Sequence, residues 1–327
     1  MVTLITTDKD IKNFLPVVAT KEYLESKASR FGWFLSNSFV LPFIIERKLF
    51  FKWIRFTHET IYLGNGPSLG DEKEFLNQVV DFSRSLDVDF IYQPLANVVF
   101  NTCPDGSTFA PFGSYRVDLD VSETQLFKGI HQKHRNVIRK AERDGVLIRS
   151  GHEYLPHCHR LIKSTMERSS MRYVSIDELL KFKENLGRNL SLYIALINDE
   201  IQGCAVIVWS KGYSAYYLHG GSIPSPYTGS LNLLQWQAMK DMKNEEVRFY
   251  DFVGARIKPI PGSKQETMQR FKSRFGTTMK EGYLWRYPLK CWKYNLFRQF
   301  SRAYALMNRL DYKSDIIDQE IRSIVKR

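Results

Sequence analysis

The sequence predicts a mixed α/β protein, α+β in the order of its elements, built from two tandem domains on one plan. Three observations carry this. Strand-type and helix-type hydrophobic periods alternate along the chain. A hairpin–helix–strand order occurs twice. The 327 residues are 43% hydrophobic and 14% aromatic, enough for two cores and unlike a disordered chain.

In the first half, Trp33-Phe34-Leu35 and residues 39–45 read as strands, and Glu46-Arg47-Lys48 as the turn into Leu49-Phe50-Phe51. Phe75, Val79, Phe82 and Leu86 recur at helical spacing, which predicts a helix over 72–86, with a strand over 89–92. Residues 113–119 lead into a helix over 123–144, closed by Gly145. The plan then restarts. Residues 192–197 turn at Asn198-Asp199 into 204–209, and a third strand covers 214–219. A helix over 230–243 and a strand over 247–250 complete the copy, with Val88 and Val247 at corresponding places. The boundary falls near Val146, giving domains 1–145 and 146–291. The segment 292–327 reads as helix, able to pack back on the first domain. No heptad run suggests a coiled-coil arm.

The net charge of +12 and pI near 9.4 suit an acidic partner: nucleic acid, anionic lipid or a phosphorylated substrate. A generally basic surface is the plainer reading. The four cysteines (Cys103, Cys158, Cys204 and Cys291) form no C-x-x-C pair, so neither a zinc knuckle nor a disulfide scaffold is indicated. His152, His157 and His159 bracket Cys158 without regular ligand spacing, and no metal is expected. The N-terminus lacks a signal-peptide layout, and no apolar run approaches the ~20 residues of a membrane span. The expected location is cytoplasmic, with peripheral membrane contact as a further option. There, Trp292, Phe297, Phe300 and Tyr304 recur at helical spacing among Lys293, Arg298, Arg302 and Arg309.

The most informative stretch is Tyr250-Asp251-Phe252-Val253-Gly254, followed by Phe271-Lys272-Ser273-Arg274-Phe275-Gly276. An apolar strand stops at a glycine, and a basic segment is closed by another. That arrangement sets a lysine and an arginine at the mouth of a cleft. A cation there either stabilises a negatively charged transition state or grips a phosphate.

With Arg135-Asn136-Val137-Ile138-Arg139-Lys140-Ala141, Tyr216-Tyr217-Leu218-His219-Gly220-Gly221-Ser222 and Leu233-Leu234-Gln235-Trp236, these segments resemble the Fem-type aminoacyltransferases that build peptidoglycan cross-bridges. The resemblance spans roughly residues 113–287. It implies two tandem GNAT-type acyltransferase domains, an aminoacyl-tRNA donor and a nucleotide- or lipid-linked peptidoglycan precursor as acceptor. It places the catalytic lysine on Lys272. It sets the nearest candidates for a phosphate-binding arginine and a first-domain lysine at Arg172 and Lys27. Plainer relatives act in surface-polysaccharide synthesis.

Amide formation by attack of a neutral amine on an activated carbonyl needs little covalent help. A cation aimed at the developing oxyanion contributes about 3–4 kcal/mol. Lys272 is the candidate for that role, or else a solvated lysine. Asp251 would hold the attacking amine or cap its loop. Arg274 would bind phosphate. One of Tyr216 and Tyr217, which point to opposite faces, would meet the acceptor or pack. Lys133, Arg135, Arg139 and Lys140 make one helix basic, suited to tRNA phosphates, although they cannot all share a face. No pyrophosphate loop of the usual acetyl-CoA pattern is present, which favours a donor other than acetyl-CoA, with aminoacyl-tRNA or an acyl-CoA as co-substrate and no bound cofactor. Two alternatives stay open: a thioester-dependent N-acyltransferase acting on an amino-sugar, and a non-catalytic basic RNA- or membrane-binding protein on the same scaffold.

Overall fold

The computed structural model describes residues 1–11, 14–64, 66–307 and 315–325. In chain order the strands and α-helices are β1 (Thr3–Ile5), α1 (Lys21–Lys27), β2 (Arg30–Leu35), β3 (Phe39–Lys48), β4 (Phe51–Phe56), β5 (Ile61–Tyr62), α2 (Leu69–Ser83), β6 (Phe90–Ile91) and β7 (Thr108–Asp118). Then come α3 (Glu123–Gly129), α4 (Gln132–Arg143), β8 (Leu147–Ser150), α5 (Leu155–Glu167), α6 (Ile176–Leu186), β9 (Leu190–Ile197), β10 (Glu200–Trp209), β11 (Ser214–Ser222) and α7 (Ser230–Asn244). The last are β12 (Phe249–Asp251), α8 (Lys264–Ser273), β13 (Thr278–Pro288), α9 (Cys291–Met307) and α10 (Ile316–Val325).

The chain forms two compact units. One holds residues 1–114, 254–260 and 280–327; the other holds 115–253 and 261–279. The boundary expected near Val146 lies within the second unit, between α4 and β8. The first unit carries the strand order β1-β2-β3-β4-β6-β13, with β5 paired to β3. Phe34, Phe43, Phe56, Phe100 and Trp285 form its main core with α2. In the same unit α9 lays Tyr294 and Phe297 against Phe51, Trp53 and Phe90.

The second unit has the order β7-β12-β11-β10-β9-β8. All its neighbours are antiparallel except β11 and β12. α4 and α7 pack together on one face of this sheet, around Ile138, Leu234, Met239 and Tyr250, and α5 packs against β9, β10 and β11 with α6 beside it.

Local chemistry sets these boundaries. Asn198 and Asp199 both take positive φ (49° and 62°), the geometry of a two-residue hairpin turn matched to strand twist. α2 begins with a reciprocal capping box between Ser68 and Asp71. The turn expected at 46–48 sits later, at Leu49 and Phe50. β3 runs through Lys48, paired to Phe51, and Leu49 takes φ 55°. The single helix expected over 123–144 is two. Ile130 and His131 are extended between α3 and α4, and the His131 amide donates to the Arg274 carbonyl at 2.8 Å. The His131 ring then accepts from the Lys133 amide, starting α4 afresh. The expected C-terminal helix is α9 followed by α10, with 308–314, including Arg309, outside the described residues.

Candidate active site

The second unit contains an interrupted strand pair. β11 and β12 run parallel for three residue pairs only: Ser214 with Phe249, Ala215 with Tyr250, Tyr216 with Asp251. β12 then ends, while β11 continues to Ser222, still paired to β10. Among the described residues, the β12 side of β11 beyond Tyr216 has no strand neighbour. At its far end the Ser222 amide and carbonyl are taken by Thr165 and Arg168 of α5 and the segment after it, and the stretch between is a sheet edge of the kind that hydrogen-bonds an extended ligand.

The chain turns away from β12 through Val253, which sits at φ 53°. A β-branched residue resists the left-handed region, so the turn is strained and must be held from outside. Asp251, fully buried, holds it on one side: its Oδ1 accepts from the Val253 amide at 2.8 Å. Its Oδ2 accepts from Arg116 Nε on β7 at 2.7 Å. Lys272 holds it on the other side, its Nζ donating to the Val253 carbonyl at 2.5 Å.

Aromatic packing fixes Lys272 where it is. Phe271 and Phe275 flank it on α8 and on the turn that follows. Phe275 stacks on Phe252 at 5.1 Å, Phe271 meets Phe275 edge-on, and the His134 ring packs on both. Gly276 closes the segment at φ 75°, where a side chain would press the Gly129 backbone at 3.0 Å. Burial lowers the Lys272 pKa to about 8, with the Asp251 charge pulling the other way. At pH 7, below that value, the protonated amine predominates. It is a cation held at low solvation, one proton on the strained carbonyl, at the end of a short strand beside an open edge.

Among the expected site residues, the fold brings Lys272, Asp251 and Tyr216 to this place, with Tyr216 in register with Asp251. Tyr217 is one residue on, half-buried, its ring edge-on to Phe252 at 6.3 Å and its hydroxyl held up in pKa by desolvation. The two tyrosines take opposite faces, Tyr217 on the core shared with Ala215. A bulge follows: His219 pairs with Val206 and Tyr217 with Ile207, so Leu218 is an extra residue. The Tyr217 hydroxyl consequently lies where a Gly220 side chain would be, 1.7 Å from a built Cβ. Arg274 is the C-cap of α8, its carbonyl engaged by His131.

The other candidates lie elsewhere or are occupied. Arg172 is exposed in the segment between α5 and α6. Lys27 is in the last turn of α1, in the first unit. Arg135 donates to the carbonyls of Lys128, at 2.7 Å, and Ile130, closing α3. Lys140 is taken by Asp144 and Tyr227. Lys133 and Arg139 face solvent on α4, Arg139 over the Phe127 ring. His152 is bonded to the Leu190 carbonyl, and no three potential metal ligands converge among the described residues. Two groups of the site carry no local signal in the sequence. Arg116 pairs with Asp251 across 135 residues. Gln235, fully buried, accepts from the Tyr250 hydroxyl at 2.7 Å.

Residues 130–272 match the family model of the acetyltransferase (GNAT) domain. The whole structure is similar to the crystal structure of FemX, at 15% identity and TM-score 0.66, over 90% of this chain and 99% of that one. It is also similar to a conserved protein of unknown function from Bacteroides thetaiotaomicron, at 11% identity and TM-score 0.54, over 82% and 89%. A tandem GNAT protein from the clavulanic acid biosynthesis pathway aligns at 11% identity and TM-score 0.48, over 88% and 98%. No curated protein matches in sequence. Residues 130–272 thus carry a GNAT-type domain, within a chain whose fold is similar to that of FemX.

Proposed function

We propose that the protein transfers an aminoacyl group from aminoacyl-tRNA to an amine of a peptidoglycan precursor, forming an amide. The observation that carries this is the desolvated Lys272 ammonium at the open β11 edge, on a fold shared with FemX over nearly the whole of both chains. In this reading the acceptor amine attacks the ester carbonyl carbon. The new C–N bond forms first, and the tetrahedral intermediate then collapses as the C–O bond to the tRNA ribose breaks, the ribose oxygen leaving with the proton that the amine gives up. Lys272 stabilises the intermediate oxyanion. Asp251 acts through Arg116 and the Val253 amide to keep the lysine and its carbonyl in place. The β11 edge beyond Tyr216, whose own ring is buried, lines the acceptor or donor chain. Lys133 and Arg139 contact tRNA phosphates. The donor is a co-substrate, and the reaction calls for no bound cofactor.

A second reading draws on the start of α7. Gly229, at φ 89° and packed on the Val137 carbonyl, takes the N-cap place with no side-chain hydrogen bond, and with the Ser230 amide bonded to the Tyr227 carbonyl the first turn offers the amides of Leu231 and Asn232. Such an end suits a diphosphate. An acyl thioester acylating an amino-sugar would use it.

The purified protein, offered labelled aminoacyl-tRNA and labelled acyl-CoA in parallel with nucleotide- and lipid-linked cell-wall precursors, separates these readings. Ribonuclease-sensitive transfer to a precursor amine supports the first. Transfer from the thioester alone replaces it with the second.

A further inference from the structure

α9 is apolar on both sides. Inward it packs Tyr294 and Phe297 on the sheet. Outward, Trp292, Phe300 and Tyr304 remain 64%, 45% and 43% exposed. Beside them the β3–β4 turn lifts Leu49 and Phe50 to 63% and 47% exposure. The positive φ of Leu49 sets that tip outward. The two elements form one surface within the first unit. Phe50 meets Phe300 edge-on at 6.1 Å, Lys48 Nζ lies 4.3 Å over the Tyr304 ring, and an apolar groove of about 250 Å³ runs between them. A contiguous apolar face of this kind on a soluble domain marks an interaction site.

Charge narrows the occupant. α9 carries Lys293, Arg298 and Arg302 and no acidic residue. Lys293 and Arg298 turn inward to Asp89 and Asp318, whereas Arg302 is exposed, as are Arg47 and Lys48 at the turn. A second copy seated on this face across a twofold axis would set these cations against their own counterparts. A nucleic acid would leave Leu49, Phe50 and Phe300 unburied. A rim of cations around tryptophan, tyrosine and phenylalanine is the composition of a helix lying in a headgroup layer. No helix among the described residues is long and apolar enough to cross a membrane.

We propose that this face, α9 with the Leu49–Phe50 turn, docks on the surface of an anionic lipid bilayer. The proposal goes beyond the reaction and does not depend on its donor or acceptor. The molecule carries its own reporter: of its six tryptophans, five are no more than 7% exposed, and Trp292 is the sixth. Vesicles of phosphatidylglycerol with brominated acyl chains are expected to sediment the full-length protein and quench its tryptophan emission. Phosphatidylcholine vesicles are expected to do neither. Trp292→Phe removes the quenching and keeps the sedimentation. Phe50→Ser with Phe300→Ser lowers the partition coefficient about tenfold or more at unchanged circular dichroism, since both rings are exposed. Three outcomes overturn the proposal: equal partition of wild type and the double variant, phosphatidylglycerol vesicles without effect on emission, or a dimer at micromolar concentration that the double variant dissolves.

Discussion

At the scale of the residue, Lys272 is expensive for the fold, and the proposed reaction is what its charge would serve. Burial lowers its pKa from the usual 10.5 to about 8, so its charge is disfavoured in the native state. The native state therefore binds fewer protons than the unfolded chain between these two values. Stability rises with pH across that window and is lower by a constant amount below about 8. Replacing the ammonium with an apolar group of similar length removes the burden. Lys272→Met is expected to keep or raise the melting temperature while lowering acyl transfer about 10²-fold or more, measured by scanning calorimetry and turnover on one preparation. A loss of both together would make the lysine merely structural. If the working form is the cation, the rate falls as pH rises through about 8. Lys272→Arg then shifts that alkaline limb upward, because an arginine does not deprotonate in this range. Arg116 belongs at this scale as well. Removing it strands the Asp251 carboxylate in the interior, and Arg116→Met is expected to cost about 3 kcal/mol in denaturant unfolding. Adding Asp251→Asn recovers part of the loss.

At the scale of the element, the site depends on one strand that is too short and one helix that comes close. β12 stops after three residues because its chain is pulled into the Val253 turn, and α5 sits against β11 because Gly221 has no side chain. A Cβ at 221 would lie 2.4–2.5 Å from the backbone of Leu161 and Ile162, neither of which can swing away. Gly221→Ala is expected to cost about 2–3 kcal/mol by thermal unfolding. The Asn198-Asp199 hairpin and the long helix α7 were legible in the sequence, since two turn residues and a run of helical spacing are local signals. The break between α3 and α4 was not. It depends on the His131 amide reaching Arg274, a bond between segments that adjoin only after folding. The glycine at the end of α3, Gly129, was its one local trace. The Leu49 turn was misplaced for a related reason: the charged run 46–48 resembles a loop, yet it continues the β3 ladder.

At the scale of the whole molecule, the two-part plan and the GNAT-type domain could be read from order and motif. The place of Arg116 beside Asp251 and Lys272 could not, because the two partners of that ion pair are 135 residues apart in the chain. The division into units shows why. The path enters the second unit at 115, leaves at 253, returns at 261 and departs finally at 279. Dissection by subcloning thus has no clean place to cut. The excised piece 130–272, coextensive with the family match, omits the β7 segment that borders β12 and takes Arg116 away with it. Expressed alone it is expected in inclusion bodies or as an aggregate by size exclusion, whereas the intact polypeptide elutes as a discrete species. Any library of shortened versions, or any attempt to graft the second unit onto another carrier, has to keep 115–279 as one uninterrupted piece, the 254–260 excursion included.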